Sequence, residues 1–161
     1  DLIDNFQNIY EDKWLNMMRD KLGLFGEDKN DKKLINNLFD WMEKNKADYT
    51  NTFCNLMDIN SHEVYKNNDF INWKNEWKKR SELNNSTKEK QIKLMRENNP
   101  IVIPRNHKVE EALAEADKGS LDKMKKLLAV LKNPYDNQNN IEEYKAPAPS
   151  SNEKYQTFCG T

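Results

Sequence analysis

Apolar residues along this chain recur at three- and four-residue steps, the period of helices that bury one face. Leu2, Ile3, Phe6, Ile9, Tyr10, Trp14, Met17, Met18 and Leu22 form the first such stripe, which Gly23 and Gly26 close. Asp28 or Asp31 can cap a second helix carrying Leu34, Ile35, Leu38, Phe39 and Met42. Asp48 caps a third, with Tyr49, Phe53, Leu56 and Met57, and a polar loop follows through Asn60-Ser61-His62. Asp69 precedes a fourth with Phe70, Trp73 and Trp77, and Thr87 precedes a fifth with Ile92 and Met95.

Asn99-Pro100 interrupts the period. Ile101-Val102-Ile103 is bracketed by Pro100 and Pro104, which suits a buried extended connector better than a central strand. Val109, Ala112, Leu113 and Ala116 then define a sixth helix, stopped by Gly119. Ser120 caps a seventh with Leu121, Met124, Leu127, Leu128 and Leu131, and Asn133-Pro134 ends it. Gly119-Ser120 between two short amphipathic stretches predicts a helical hairpin. The expectation is an all-α fold of about seven helices over residues 1–135, with a polar, Pro-containing tail over 136–161. The predicted core includes Phe6, Trp14, Leu38, Phe39, Phe53, Trp73, Trp77, Leu113, Leu127 and Leu128.

Composition narrows the size of that core. Only 36% of residues are hydrophobic and 33% are charged, so the core is modest. Four tryptophans, six phenylalanines and a net charge of -1 still argue for a folded chain. The even charge balance implies no field for nucleic acid, and no stretch approaches a membrane span. Trp73, Lys74, Trp77, Lys78, Lys79 and Arg80 can be read as an aromatic and basic nucleic-acid surface. A core-facing tryptophan stripe with a solvated lysine face is the stronger reading.

Little else carries chemistry. The four glycines make no phosphate-cradling loop. His62 and His107 have no second ligand at metal-binding spacing. Cys54 sits among Phe53, Leu56 and Met57, as a small core residue would. Arg105-Asn106-His107 opens a helix after the proline-bracketed connector. It either satisfies helix ends and loop carbonyls or reaches a partner surface. Cys159 stands third from the end, beyond Lys145-Ala146-Pro147-Ala148-Pro149-Ser150-Ser151, and reads as an accessible thiol, inert or reactive. Two cysteines make no disulfide framework and point to a reducing compartment. A thiol oxidoreductase is disfavoured, because there is no C-x-x-C pair. The start at Asp1, inside an amphipathic pattern, reads as part of something larger.

The run Asn99-Pro100-Ile101-Val102-Ile103-Pro104-Arg105-Asn106-His107 resembles the selenoprotein O family. So do Glu111-Ala112-Leu113 with Ala116 and Gly119, Leu127-Leu128 with Asn133-Pro134-Tyr135, and the earlier Asp48-Tyr49-Thr50-Asn51-Thr52-Phe53. The closing Tyr155-Gln156-Thr157-Phe158-Cys159-Gly160-Thr161 is similar to that family's C-terminus. The resemblance implies a protein-kinase-like pseudokinase that transfers AMP from ATP to protein hydroxyls with bound magnesium or manganese. The family's nucleotide- and metal-binding residues lie upstream of the matched part. No catalytic, cofactor or metal residue therefore carries over, and this chain would be a non-catalytic helical C-terminal segment.

One position does carry over. Cys159 matches a residue that is selenocysteine in some members, which implies a redox role and a disulfide to the catalytic body. The implied partners are that upstream body and the protein substrates of the whole enzyme. The implied compartment is the cytoplasm in bacteria and mitochondria in eukaryotes. A free-standing helical interaction module is the alternative.

Overall fold

The computed structural model describes residues 3, 5–57 and 62–149. Among them the chain forms eight α-helices and no strand: α1 Phe6–Lys21, α2 Asp31–Asn45, α3 Tyr49–Leu56, α4 Asn68–Glu82, α5 Lys88–Asn98, α6 Asn106–Ala116, α7 Asp122–Leu131 and α8 Glu142–Lys145. A single 3-10 turn, Glu63–Lys66, precedes α4. The all-α expectation holds, and the seven helices read from periodicity are α1 to α7. The stretch that was to become α8 carries too few apolar residues to show a period.

Local signals set several boundaries, but not the starts of α2 and α7. Asn30, not Asp28 or Asp31, holds the N-cap position of α2 and makes no side-chain cap bond, and the Asp31 carboxylate is drawn into the core. Leu121 holds that position at α7, where the Ser120 hydroxyl accepts only from the Asp122 N–H at 3.4 Å. Asp48 accepts from the Asn51 N–H at 2.8 Å, and the Thr87 hydroxyl accepts from the Lys90 N–H, so both cap as their positions predict. At α4 the cap is Asn67, which accepts from the Asp69 N–H at 2.8 Å, rather than Asp69 itself. The end of α1 is a left-handed turn at Gly23, with φ of 64°. There the Leu24 N–H returns to the Arg19 carbonyl and the Gly23 N–H to that of Asp20. Gly119 closes α6 with the same pair of bonds, from Ser120 to Glu115 and from Gly119 to Ala116.

The core is built chiefly by α1 to α5. Met18 of α1 and Leu22 just after it, Ile35 and Leu38 of α2, Phe53 of α3, Phe70 of α4 and Met95 of α5 are essentially removed from solvent. The principal pairings in this body set α1 against α5 and α2 against α4. Trp73 and Trp77 lie on the buried face of α4 with their rings parallel at 6.3 Å. Their indole N–H groups donate to the carbonyls of Leu34 and Leu22, at 2.8 and 2.9 Å. The tryptophans therefore bury apolar area without stranding a donor.

The proline-bracketed connector is buried as predicted. Ile101 and Val102 are covered, and both of their N–H groups donate to the Pro134 carbonyl, at 2.7 and 3.2 Å. Helices α6 and α7 pack chiefly against each other, with Ala112 and Leu127 buried, and Val130 and Leu131 of α7 pack against the core. Farther along, Ile141 is buried and Tyr144 packs against the core.

Three predicted core residues are on the surface. Phe6 is 65% exposed, Leu128 54% and Leu113 47%. Periodicity assigns a residue to a face, but burial needs something packed on that face. The first two turns of α1 are exposed throughout, and among the described residues no helix covers the outward leucines of the hairpin. Trp14 and Phe39 are half-buried at the rim of the core. Leu2, Asn60, Ser61 and the segment 150–161, with Cys159, lie outside the described residues.

Candidate functional site

A buried charge cluster, a half-buried one and a buried thiol are the chemically distinctive places in this fold. The first is centred on Asp31, whose side chain is fully buried at the start of α2. Arg19 of α1 and Arg80 of α4 each donate Nε–H to it, both at 2.7 Å. The Asp28 N–H adds a third bond at 3.0 Å. Burial disfavours the charged carboxylate, but the bonds from Arg80, Arg19 and Asp28 outweigh it and hold its pKa below the usual value. Arg80 also donates to the carbonyls of Phe25 and Gly26 and to Asn84, which in turn donates to the Gly23 carbonyl. The cluster thus fastens three helices and the loop between α1 and α2. A recess beside it is lined by Asp28, Lys33, Asn37, Glu76 and Lys79, charges of both signs that produce no one-signed field.

The second cluster joins distant parts of the chain. Arg105, just before α6, binds Asp48 with both terminal nitrogens, one of them at 2.8 Å. The same guanidinium donates to the Lys145 carbonyl at 3.0 Å, and the Asn51 side chain donates to that carbonyl at 3.2 Å. Asp48 feels burial first, which opposes its ionisation. Its bonds from Arg105 and Asn51 prevail and keep its pKa low. Of the two readings of Arg105, the geometry bears out the structural one, since its head is committed to the cap of α3 and to the last carbonyl of α8. Asn106 is exposed, and His107 is half-buried.

A further charge, half-buried, is Lys21 at the end of α1. Its ammonium donates to the Asn98 carbonyl at 2.9 Å and to the Asn99 side chain at 3.1 Å. It also stands over the rings of Tyr49 and Phe53, at 5.6 and 5.1 Å. Burial lowers its pKa. The Cys54 thiol faces the Pro100 carbonyl at 3.7 Å. Burial pushes it up to about 11, so at neutral pH it is a protonated core thiol, as its apolar neighbours predict. His62 is exposed, with its ring 6.5 Å from that of Tyr65. Among the described residues no group of three or more His, Cys, Asp and Glu side chains is placed to hold a metal ion. No described helix is long and apolar enough to cross a membrane. Trp73 and Trp77 face inward, which removes them from any nucleic-acid surface.

The Asp31 cluster went unread in the sequence except as a helix cap. Its arginines are 12 and 49 residues away, and no local spacing links them.

Comparison with known proteins supplies what the geometry does not. The family model "Protein adenylyltransferase SelO" matches residues 1–132. A "Protein nucleotidyltransferase YdiU" of Pelagibacter ubique (strain HTCC1062) is 56% identical over 161 residues, covering 99% of this chain and 33% of that protein. Proteins of the same description are 44% identical in Bacillus mycoides (strain KBAB4) and in Clostridium perfringens (strain 13 / Type A). They cover 100% and 99% of this chain, and 34% and 33% of those proteins. The chain thus spans about a third of the length of the curated relatives it matches. Its match over residues 1–132, foreshadowed by the Pro104-Arg105-Asn106-His107 run, makes it a member of the protein adenylyltransferase SelO family.

Proposed function

We propose that this chain is the non-catalytic C-terminal helical segment of a longer protein nucleotidyltransferase, one that moves AMP from ATP onto Ser, Thr or Tyr hydroxyls of other proteins. One observation carries the reading. The chain corresponds to about a third of relatives that are described as nucleotidyltransferases. The structure supports it through the way charges are used. The buried or half-buried heads of Arg19, Arg80, Arg105, Asp31 and Asp48 are directed at one another and at backbone carbonyls, in the service of the fold. ATP and its magnesium or manganese would be held by the remaining two-thirds of the polypeptide, and the protein substrates would meet that part. A bacterial source implies the cytoplasm, and a eukaryotic one mitochondria.

Cys159 is the redox position of this reading. Cys54 is a poor partner, because it is buried and its thiol stays protonated. A second thiol in the remainder of the polypeptide would close the disulfide. Two thiols lose two electrons and two protons to a peroxide, which is reduced to water. Replacing Cys159→Ser in the complete polypeptide abolishes peroxide sensitivity of AMP transfer, and unchanged sensitivity refutes the redox role.

The primary test is the size of the native protein in its source cells, followed by AMP transfer from labelled ATP by that protein. A band several-fold above 19.1 kDa with transfer activity agrees with the proposal. A band at 19.1 kDa refutes it and favours a free-standing interaction module.

A further inference from the structure

We infer that the outward stripe of α1 is the surface on which the remaining two-thirds of the polypeptide sits, an inference that rests on the reading above. Phe6, Tyr10 and Met17 follow one another at helical spacing and are 65%, 59% and 45% exposed. Met18 and Leu22, which enter the core, lie roughly a third of a turn around the same helix. So α1 has two apolar faces, and the fold described here covers one of them.

The open face is aromatic and continuous. Phe6 stacks on Tyr10 at 6.3 Å, and Tyr10 is an i,i+4 neighbour of Trp14. Trp14 meets Phe39 at 6.1 Å, and Phe39 stacks on Tyr49, also at 6.1 Å. The rim therefore runs from the first turn of α1 to the first turn of α3. Aromatic and methionine side chains dominate the centres of protein interfaces, where charge is depleted. In a chain that is 33% charged, Lys13 is the single charged residue within this stripe. The exposed large apolar residues of the α6–α7 hairpin, Leu113, Leu121 and Leu128, are aliphatic and include no aromatic ring.

The occupant follows from length and position. Two-thirds of each relative lies outside the matched part. Under the C-terminal placement proposed above, that length joins the fold through α1, the helix that carries the open stripe. Domains of one chain meet over about 600–1,500 Å². A buried aromatic contributes about 150–250 Å², so the rim can supply a large share of one side. A second copy fits less well, because a two-fold pairing of such stripes brings Lys13 toward its own equivalent.

Hydroxyl-radical footprinting of the complete polypeptide, read by mass spectrometry, tests the inference with an internal standard. Tyr10 and Tyr135 share one chemistry and are 59% and 47% exposed in this fold. Tyr10 is expected to be modified several-fold more slowly than Tyr135, with Phe6 and Met17 protected alongside it, at every protein concentration. Equal rates for the two tyrosines overturn the inference. Protection that fades on dilution also overturns it, in favour of a second copy. The Phe6→Asp, Tyr10→Asp double variant should lower the melting temperature of the complete polypeptide by several degrees, whereas Tyr135→Asp should not. AMP transfer measured on the same preparation separates the two readings. Protection without transfer sinks the functional reading alone, and transfer with equal tyrosine rates sinks this inference alone.

Discussion

The five-helix body and the α6–α7 hairpin are made from similar amphipathic patterns, yet they are held together differently. The body encloses large rings and a buried carboxylate shared by two arginines that come from different helices. The hairpin closes on Ala112 and Leu127, with exposed or half-exposed pairs such as Lys123 with Glu115 on its surface. Arg105 ties its entrance to Asp48. Surface ion pairs contribute about 0–1 kcal/mol each, whereas a broken buried pair costs several times that. The difference teaches that helical periodicity reports where an apolar face points, and long-range partners decide how much that face stabilises.

The largest break in this contrast should come from Asp31→Ala. It leaves Arg19 and Arg80 buried without their carboxylate, a loss of about 3–5 kcal/mol. Urea denaturation of the variant should show it, and a loss below about 1 kcal/mol would deny the cluster its role. Side-chain truncation sharpens the comparison. Phe53→Ala in the body should cost about 3–5 kcal/mol, and Leu128→Ala in the hairpin should stay within about 0.5 kcal/mol. The same denaturation curves test both.

A smaller effect separates the two left-handed glycines. A Cβ at Gly23 would lie 2.6 Å from Gln91 Cγ and 2.8 Å from Met95 Cγ, where α1 packs on α5. At Gly119 nothing lies within 4 Å. Both Ala variants pay about 1–2 kcal/mol for the positive φ, and Gly23→Ala adds about 1–3 kcal/mol of overpacking. Thermal melts should therefore rank Gly23→Ala well below Gly119→Ala, and equal melting temperatures would contradict the tight α1–α5 approach.

The smallest effect is in acid. Asp31 and Asp48 both have folded pKa values below their unfolded ones. Each therefore contributes stability that is fully present above the unfolded value of about 3.9 and is lost as pH falls through the folded value. Stability should be level near neutrality and fall in acid. Asp48→Asn should make that acid limb shallower, as measured by denaturation between pH 2 and 6, a range set about the carboxylate pKa.

Much of this was legible in the sequence where the signal was local. Asp48 and Thr87 stand just before apolar periods, and a capping side chain needs a partner only three residues on. Gly119 marked the hairpin because only a left-handed residue closes α6 there. The inward face of α4 was legible because Trp73 and Trp77 are one helical turn apart. The rest depended on distance. Arg105 finds Asp48 across 57 residues, so its neighbours could not choose between its two roles. Ile141 is buried but stands alone among polar residues, with no period to announce it. Phe6, Leu113 and Leu128 obey the helical period, and what packs over them, if anything, was never in their spacing. For the candidate site, Cys54 was legible as a core thiol from its neighbours, and the Asp31 cluster was not.

The placement of the tryptophans gives the molecule an optical asymmetry. All four, Trp14, Trp41, Trp73 and Trp77, belong to α1, α2 and α4, and the hairpin contains none. Intrinsic fluorescence excited at the indole band is therefore blind to α6 and α7, while far-ultraviolet circular dichroism counts every helix. If the hairpin frays before the body, ellipticity will decline while indole emission stays blue, and the gap between the two curves will measure how far the regions melt apart.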